Sequence, residues 1–318
     1  MAAGRIVTLT MNPAVDVSGT VERLAPAHKL RVSGARHHPG GGGINCARVL
    51  ARLGAELLAV FPEGGATGGY FTRLLDEEGV KRAAVPVAGE TRQNFTVDET
   101  ATGEQYRFVL PGPALDAMEI GACLAALARN LAGVSWLIAS GSLPPGAPDD
   151  LYARVARLAR AAGARFALDT SGAPLASAMG AGLAIVKPSR RELEGLAGRA
   201  LPALADVAAA ARAIVASGGA EHVAVTLGAD GALLASRETI LVADAPAVAA
   251  RTSVGAGDSF LAALVWAFEH GAGDALAYAV AAGSAALLSE GTALCRPDDI
   301  DRLAREVRAR GLQQAMSR

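Results

Sequence analysis

The sequence predicts an α/β protein with a mostly parallel central sheet, helices on both of its faces, and a small additional β-sheet. Of the 318 residues 51% are hydrophobic and only 4% are aromatic, a composition typical of helices packed on a parallel sheet. Short apolar segments alternate with helical patterns through most of the chain, as in βα units. Two pairs of alternating segments interrupt this order and carry charges on one side, as half-exposed strands do.

Apolar periodicity and turn signals predict the elements in chain order. The predicted strands span 5–10, 15–22, 30–37, 56–61, 93–98, 104–110, 135–139, 165–168, 184–187 and 222–227, with a hairpin through 232–243. The predicted helices span 44–53, 67–78, 116–131, 149–162, 204–217, 257–269, 274–289 and 297–310.

The half-exposed strands, inserted at about 15–37 and 92–110, are predicted to form one small sheet that projects from the main body. Such a sheet has a face that needs cover, so it can serve as a lid, as a dimer surface, or as both. No repeat of solenoid period and no low-complexity linker divides the sequence. We therefore expect a single domain over 1–318 that includes this lid.

Charge and cysteine content exclude several classes of function. The formal net charge is −1, so no basic field is available for nucleic acid or an anionic membrane. The three cysteines are far apart, which favours a reducing compartment over a disulfide framework. The N-terminus lacks the apolar region of a signal peptide, and no uninterrupted apolar stretch suggests a membrane span. We expect a soluble cytoplasmic protein.

The stretch 252–260, TSVGAGDSF, places a loop of small residues directly before an apolar helix. The first N–H groups of such a helix have no partner within it, and with the helix dipole they form an anion site. Gly255 and Gly257, which flank Ala256, let the backbone approach a phosphate closely. Asp258 can then accept a proton from a hydroxyl beside that phosphate, as phosphoryl transfer to an alcohol requires. The alternative is that Asp258 only caps the helix.

The same four residue types, Gly-Ala-Gly-Asp, recur at 271–274. This second copy follows the end of one helix and leads into another, so we predict a C-cap followed by an N-cap. The difference in context makes Asp258, and not Asp274, the candidate catalytic base.

Four consecutive glycines at 40–43 precede a helical segment that begins with Ile44 and Asn45. The run matches neither the P-loop nor the dinucleotide-binding pattern. Because four glycines lose considerable conformational entropy on folding, we expect close backbone contacts here and not a flexible linker. Asn45 and Asp16 are candidate hydrogen-bond partners for sugar hydroxyls, with a turn or cap role as the alternative.

Charged residues elsewhere suggest phosphate contacts. Arg92 begins the second strand pair of the lid, and a guanidinium can bind a phosphate through two parallel hydrogen bonds. Lys187 ends a buried strand at the edge where ligands of open α/β sheets bind, and it can meet nucleotide phosphates. Glu192, in the first turn of the next helix, can act on Mg²⁺ through water. The alternative for Arg92 and the other basic residues of the lid is that they are solvated charges on the protein surface. The five histidines show no ligand spacing.

Nearly the whole chain resembles the ribokinase-like (PfkB) family of carbohydrate kinases. The strings that carry the resemblance are KLRV at 29–32, PGGGGIN at 39–45, FPEGGATG at 61–68, TRQNF at 91–95, GEQYRFVLPG at 103–112, SGSLPPG at 140–146, VGAGDS at 254–259 and AAGSAA at 281–286. The resemblance implies a three-layer α/β/α fold with a small β-sheet lid. Within the family the strings are most similar to those of bacterial 6-phosphofructokinases, which implies transfer of phosphate from ATP to the 1-hydroxyl of fructose 6-phosphate.

The resemblance also implies roles for individual residues. It makes Asp258 the base, with Gly255, Ala256 and Gly257 as the anion hole. It assigns the following residues to the sugar phosphate: Asp16, Lys29, Arg31, Gly41, Gly42, Asn45, Arg92 and Ser140. It assigns these to MgATP: Lys187, Ser189, Glu192, Thr226, Gly228 and Gly257.

The resemblance further implies a homodimer paired through the lid sheets, in which Lys29 or Arg31 reaches the neighbour's active site. Some family members bind a monovalent cation near the anion-hole loop, and some are inhibited by excess MgATP.

Two departures from the family pattern bear on these expectations. The family commonly has Asn at the position of Ser189, so the shorter serine can alter water-mediated contacts to metal and phosphate. Kinases of fructose 1-phosphate and tagatose 6-phosphate commonly carry Lys in the glycine run, whereas this chain has an uninterrupted run. The opening string TLTMNPAVD is nevertheless more similar to that of 1-phosphofructokinases.

Rival functions therefore stay open at this point. The nearest are 1-phosphofructokinase and tagatose-6-phosphate kinase. A rival of another class is a non-catalytic sensor of sugar phosphates or nucleotides, against which the intact Asp258 argues. A NAD-linked dehydrogenase lacks its glycine fingerprint in this sequence.

Overall fold

A computed structural model describes residues 4–252 and 254–316. Ser253, part of the predicted phosphate loop, and the first three residues lie outside the described residues. The described strands are β1 (Arg5–Leu9), β2 (Ala14–Val21), β3 (Ser33–Gly40), β4 (Leu57–Glu63), β5 (Arg82–Pro86), β6 (Arg92–Glu99), β7 (Gln105–Phe108), β8 (Val134–Ser140), β9 (Arg165–Asp169), β10 (Leu183–Val186), β11 (Ala220–Thr226), β12 (Ala232–Ala235), β13 (Ile240–Ala243) and β14 (Arg310–Gly311).

Helices fill most of the connections between these strands. They are α1 (Gly42–Arg52), α2 (Gly65–Glu77), α3 (Ala117–Arg129), α4 (Leu151–Ala161), α5 (Gly172–Ala178), α6 (Arg190–Ala197), α7 (Leu204–Ala216), α8 (Ala256–His270), α9 (Ala275–Ala286), α10 (Pro297–Ala304) and α11 (Leu312–Met316).

The large sheet has the order β14-β13-β12-β11-β10-β9-β8-β1-β4-β5. Seven neighbouring strands of this sheet run parallel to one another: β5, β4, β1, β8, β9, β10 and β11. The remaining strands, β12, β13 and β14, extend the sheet as an antiparallel ribbon. Its strands are nearly continuous apolar runs because each face is covered by a separate core. Helices α1, α2, α8, α9 and α10 pack on one face, and α3 to α7 pack on the other. The predicted α/β fold with a mostly parallel sheet is confirmed.

The parallel arrangement places the carboxyl ends of β1, β8, β9, β10 and β11 along one edge of the large sheet. Ser140 ends β8, Asp169 ends β9, and Thr226 ends β11, while Lys187 directly follows β10. Ligands of open α/β sheets bind outside such an edge. The candidate site is therefore expected there.

The small sheet has the order β3-β2-β6-β7. It combines the two half-exposed strand pairs, because β2 pairs in parallel with β6 while β3 and β7 pair antiparallel at the outside. The prediction that both insertions build one sheet is confirmed. The first pair is shifted from its predicted position: β3 begins at Ser33, not at 30, and continues to Gly40 at the glycine run.

Several elements differ from the sequence prediction, and β14 and α11 are among those that were not predicted. The strand β5 and the helix α5 were not predicted, because RAAVP and GAPLASA are too short and too rich in Ala to show a period. The prediction of a helix over 297–310 is wrong beyond Ala304. There the chain leaves the helix so that Arg310 and Gly311 pair with β13, whose open edge offers unpaired backbone groups.

None of the helices in the described ranges combines the length and apolarity that crossing a membrane would require.

Candidate active site

The four glycines at 40–43 lie where the small sheet meets the large one, and side chains at these positions would collide with their surroundings. A Cβ at Gly41 would lie 2.8 Å from Thr10 Cγ2, one at Gly42 would lie 2.8 Å from the carbonyl carbon of Ser140, and one at Gly43 would lie 2.9 Å from that of Leu9. A Cβ at Gly40 would overlap the Asp16 carboxylate. The expected close backbone contacts are confirmed.

Helix α8 begins at Ala256, with Gly255 as its N-cap at φ 76°, a left-handed conformation that glycine adopts without strain. Asp258 lies in the first turn but does not cap the helix. Its Oδ2 accepts a hydrogen bond from Asn45 Nδ2 at 2.9 Å, and its Oδ1 accepts one from Ser140 Oγ at 3.1 Å. The capping alternative for Asp258 is therefore wrong.

The second Gly-Ala-Gly-Asp string behaves as predicted. Gly271 is the left-handed C-cap of α8, and Asp274 is the N-cap of α9. The Asp274 carboxylate accepts hydrogen bonds from the backbone N–H groups of Ala277 and Ala309, both at 3.0 Å. Of the two identical strings, only the first faces the cleft described below.

A buried ion pair lies beside the start of α8. Lys187 Nζ is 3.0 Å from Asp169 Oδ2, and the two side chains are only 6% and 17% exposed. The same ammonium would lie 3.3 Å from a Cβ at Gly257, so it directly faces the backbone of the first turn. The structure thus joins a cation to the N–H groups of a helix start, and both attract an anion.

Burial controls the ionisation of the carboxylates in the site. It raises the pKa of Asp258, whereas the hydrogen bonds from Asn45 and Ser140 and the charge of Lys187 oppose that rise. Burial likewise raises the pKa of Asp169 to about 6, with Lys187 opposing. Carboxyl groups with raised pKa values beside a cleft are typical of general acid–base sites.

One face of the small sheet is directed towards this site. Asp16 pairs with Asn94, and Thr96 with Arg107, in the strand register, so Asp16, Asn94 and Arg107 share a face because side chains alternate along strands. Asn94 Nδ2 donates to Asp16 Oδ1 at 2.9 Å. The positive charge of Arg107 lowers the pKa of both Asp16 and Asp258, although burial has the larger, opposite effect on each.

Arg92 lies at the base of the small sheet. Its Nη2 donates to the Asn12 carbonyl at 2.9 Å and its Nη1 to the Leu110 carbonyl at 2.6 Å, while its buried Nε has no hydrogen-bond partner among the residues that the structure describes. These bonds fix the guanidinium between the loop that follows β1 and the loop that follows β7. Arg92 therefore lies close to the large sheet, as a residue that binds substrate under a lid would.

A continuous cleft runs from Asp258 to Arg92. A cavity of about 250 Å³ is lined by Gly42, Ser140, Asp169, Glu192 and Asp258 among others. A neighbouring cavity of about 610 Å³ is lined by Asn12, Arg92 and the loop at 142–147 among others. Both cavities share the residues Ser142, Thr170 and Ser171. The cleft offers room for a small ligand between the Asp258 carboxylate and Arg92.

Two further loops lie side by side at the carboxyl edge of the sheet. Ser189 and Thr226 form a parallel bridge, and Thr226 N donates to the Pro188 carbonyl at 3.1 Å. Gly228, with φ 64°, begins a short 3-10 turn after β11. Ser189 and Glu192 form a capping box, in which Ser189 Oγ donates to Glu192 Oε2 at 2.8 Å. Serine at position 189 is therefore compatible with a well-formed start of α6.

Lys29 and Arg31 are not brought to the site by this single chain. Both are exposed and lie in the loop between β2 and β3. Within the described ranges, no hydrogen bond or ion pair joins either residue to Asp16, Arg92 or Asp258. Their role in substrate binding stays a prediction.

Sequence reasoning missed several residues of the site. Asp169 follows a predicted strand by one position, and this placement at the carboxyl edge was the available signal. Asn94 and Arg107 stand inside the strings TRQNF and GEQYRFVLPG, but only strand pairing shows that they share a face. Asn12, which lines the cleft beside Arg92, lies in the TLTMNPAVD string directly after β1.

No group of three or more His, Cys, Asp or Glu side chains is arranged to hold a metal ion among the residues that the structure describes. Glu192 and Asp169 nevertheless line the cleft with Asp258. A magnesium ion bound mainly by phosphates and water needs only one or two protein carboxylates. These side chains therefore fit a metal that arrives with a nucleotide.

The fold and this site define a phosphotransferase that acts on an alcohol: the half-buried Asp258 carboxylate lies at a helix start that, with Lys187, attracts phosphate. The chain belongs to the pfkB family of carbohydrate kinases, whose family model matches residues 7–299. It is 42% identical over 300 residues to the ATP-dependent 6-phosphofructokinase isozyme 2 of Mycobacterium tuberculosis, covering 94% of this chain and 88% of the relative. It is 36% identical over 313 residues to the 1-phosphofructokinase of Xanthomonas campestris, covering 97% and 95%.

The solved structure of phosphofructokinase-2 from Escherichia coli in complex with fructose-6-phosphate superposes with a TM-score of 0.89. Its sequence is 39% identical, and the match covers 95% of this chain and 99% of that chain. These comparisons confirm the family resemblance, the ribokinase-like fold and the assignment to ATP-dependent sugar-phosphate kinases.

Proposed function

We propose that this protein transfers the γ-phosphoryl group of ATP to the 1-hydroxyl of fructose 6-phosphate, which yields fructose 1,6-bisphosphate and ADP. The observation that carries the proposal is the position of Asp258. Its half-buried carboxylate is held by Asn45 and Ser140, faces the cleft that extends to Arg92, and lies in the helix turn beside Lys187. The 6-phosphofructokinase relatives support the choice of substrate.

In this mechanism Asp258 accepts the proton of the sugar hydroxyl as that hydroxyl attacks the phosphoryl group. The bonds from Asn45 and Ser140 leave the carboxylate one defined orientation, and they favour its ionised form against the effect of burial. The base is active only when ionised. Activity is therefore expected to fall as the pH drops through the pKa of Asp258.

The backbone of Gly255, Ala256 and Gly257 stabilises the charge on the transferred group. The first N–H groups of α8 have no acceptor within the helix, and the absence of side chains at two of these positions lets a phosphoryl oxygen come close. Lys187 adds a positive charge at the same place. Preorganised donors of this kind lower the barrier because they need not reorient during the reaction.

The sugar phosphate binds between the two sheets. Asp16 and Asn45, with the backbone of Gly41 and Gly42, hold the sugar, while Arg92 binds its phosphate. Arg107, on the same face as Asp16, supplies a second positive charge to the anionic substrate. Closure of the small sheet over the cleft excludes water and so limits hydrolysis of ATP.

The nucleotide lies along the loops that contain Ser189, Thr226 and Gly228. Glu192 would hold Mg²⁺ through water, and the bound ion would neutralise phosphate charge. The solved structures include phosphofructokinase-2 from Escherichia coli in complex with potassium. By analogy, we propose that a monovalent cation binds near the loop that precedes α8.

The small sheet and the large sheet together form a single catalytic domain in this proposal. The small sheet also serves as a dimer surface. Phe95 pairs with Phe108 across β6 and β7 and with Val17 across β2 and β6, on the face opposite to Asp16. The phenylalanines are 40% and 53% exposed, and such an apolar face favours burial against a second copy. In the dimer Lys29 or Arg31 reaches the neighbour's cleft.

The three free cysteines, all buried, support the proposed cytoplasmic location. A tetrameric inhibited form is known for phosphofructokinase-2 from Escherichia coli. The same kinetic assays can therefore test whether assembly beyond the dimer inhibits this protein.

The experiment that tests the proposal is a panel of sugar phosphates assayed for ADP release with wild-type protein and with Asp258→Asn. Fructose 6-phosphate is expected to give the highest kcat/KM, and Asp258→Asn is expected to lower kcat by at least ~10²-fold with little change in KM. Asp274→Asn is the matched control, because it makes the same change in the second Gly-Ala-Gly-Asp string, outside the cleft. Asn can accept from only one of the two backbone N–H groups that Asp274 binds, so this variant is expected to lose some stability and to keep kcat. A near-normal kcat in Asp258→Asn would remove this residue from the mechanism.

The second candidate function is phosphorylation of fructose 1-phosphate, which the similarity to 1-phosphofructokinases favours. In the panel it predicts the highest kcat/KM with fructose 1-phosphate. A preference for tagatose 6-phosphate is the remaining kinase alternative. Binding of a sugar phosphate without release of ADP would instead identify a sensor.

A further inference from the structure

Arg48, in the middle of α1, is a buried cation that the proposed mechanism does not use. Its side chain is 0% exposed. Nε donates to Glu78 Oε1 at 2.8 Å, and Nη1 donates to Asn45 Oδ1 at 3.3 Å. Arg48 and Asn45 are three positions apart in the helix, so their side chains are neighbours on one face. The arginine thus touches the residue that touches Asp258.

The Asn45 amide has one favourable orientation in this arrangement. Its Oδ1 accepts from Arg48, and its Nδ2 donates to Asp258 Oδ2 at 2.9 Å. A guanidinium offers only donors, and an ionised carboxylate only acceptors. Exchange of the amide oxygen and nitrogen would place a donor against Arg48 and an acceptor against Asp258. Arg48 therefore determines that Asn45 presents a donor to the catalytic carboxylate.

Other contacts hold Arg48 itself in place. Its Nη1 also donates to the carbonyls of Pro39 at 3.0 Å and Thr292 at 2.9 Å. Pro39 belongs to β3 of the small sheet, and Thr292 belongs to the loop whose Leu294 side chain packs against Gly255. Nη1 has two hydrogens for its three acceptors, so the bond to Asn45, the longest of the three, is shared with these carbonyls. Because the guanidinium is buried, the geometry of the whole set is restricted.

We infer that Arg48 is a positioning residue, which holds the Asn45 amide and through it keeps the Asp258 carboxylate in place to accept the proton. The inference rests on the proposed role of Asp258 as the base. It assigns Arg48 no contact with substrate or nucleotide. The expected consequence of its loss is a defect in kcat and in the pH dependence of kcat, with little effect on KM for ATP.

The pH dependence follows from the groups around Asp258. Burial raises its pKa, and the Asn45 hydrogen bond is the first of the effects that lower it. Loss of that bond raises the pKa further, so the acid limb of the kcat profile moves to higher pH. The other titratable or charged groups that face Asp258 from neighbouring elements are Lys187, Arg107, Asp169, Glu192 and Cys46.

The test compares kcat over pH 5–9 for wild-type protein, Arg48→Met and Arg48→Lys. The lysine variant keeps a charge opposite Glu78 but has a single nitrogen, which cannot serve Glu78 and Asn45 together. Both variants are expected to lose about 10-fold in kcat at pH 6, from the scale of one hydrogen bond to a charged group, and to show a raised acid limb. Arg52→Met is the matched control, because Arg52 also binds Glu78 but otherwise contacts the carbonyls of Ala293 and Cys295.

A double-mutant cycle separates positioning from a general structural role. In an Asn45→Ala background, Arg48→Lys is expected to change kcat by less than about 2-fold, because the residue through which it acts is gone. An equal loss in both backgrounds, or a wild-type acid limb in Arg48→Lys, would overturn the inference. Should Arg48→Met fail to fold, which urea denaturation will show, Arg48→Lys decides alone. Wild-type protein that releases no ADP with any sugar phosphate refutes the proposed function, and an active Asp258→Asn refutes the role of Asp258 as the base. An inactive Asp258→Asn with a wild-type profile in Arg48→Lys refutes only this inference.

Discussion

Gly42→Ala is a small substitution that the structure predicts to be harmful. Gly42 is the first residue of α1, and its φ is not in the left-handed region, so alanine is compatible with the backbone there. The added methyl group would, however, overlap the Ser140 hydroxyl and lie 2.8 Å from the Ser140 carbonyl carbon. Ser140 Oγ is one of the two donors to Asp258. The substitution therefore tests how tightly the glycine run is packed against the catalytic centre.

The magnitude follows from these distances. Ordinary van der Waals contact of a Cβ begins at about 3.4 Å, so the backbone at Ser140 and α1 must separate by roughly 0.6 Å, and the hydroxyl must leave its place. Overpacking of this kind costs about 1–3 kcal/mol, offset by about 0.5–1 kcal/mol from replacing glycine in a helix. Loss of one hydrogen bond to a charged group, worth about 1.5–3 kcal/mol, lowers kcat about 10- to 100-fold.

The assay is kcat for ADP release together with urea unfolding of the same preparations. Gly69→Ala is the matched control, because Gly69 lies within α2 and no heavy atom lies within 4 Å of its added Cβ. The control is expected to retain kcat and to gain about 0.5–1 kcal/mol in unfolding free energy. If Gly42→Ala keeps kcat within about 3-fold of wild type, the glycine run is not packed against Ser140 as described.

Two further predictions concern the ion pair and the small sheet. Because burial raises the pKa of Asp169 from 3.8 to about 6, this carboxyl contributes stability that is present below about pH 4 and is lost as the pH rises through 6. Asp169→Asn should therefore flatten the dependence of urea unfolding free energy on pH between 4 and 7, and an unchanged slope would contradict the assignment. Phe95→Glu combined with Phe108→Glu should convert the proposed dimer to a monomer in analytical ultracentrifugation. The control is Met118→Glu, on α3 and 83% exposed, which should leave the dimer intact. A double variant that is still dimeric would rule out this surface.

Much of the fold and part of the site could be predicted because their signals are local. The apolar runs of the parallel strands and the period of the long helices show which residues the two cores bury. The two Gly-Ala-Gly-Asp strings could be told apart by what precedes each, and the structure places Asp274 as a cap and Asp258 in the cleft. The glycine run indicated close backbone contact because ordering four glycines costs conformational entropy that such contacts can offset.

Other features could not be predicted because they depend on contacts between distant parts of the chain. Strand β14 exists only because the edge of β13 is open to it, and nothing in the local sequence ends the preceding helix at Ala304. Asp169 could have been suspected from its place after a strand, but its pairing with Lys187 requires β9 and β10 to be neighbours.

The order of the βα units, the helix that begins at the small-residue loop and the residue types available for chemistry can all be read from local sequence patterns. Which of these residues meet depends on contacts that form only when the chain folds. Asn45 and Asp258 are 213 positions apart and yet hydrogen-bonded, and Arg107 reaches the same site from a separate sheet. The physical reason is that periodicity and capping act over a few residues, whereas a catalytic site is formed where strand ends and helix starts converge after folding.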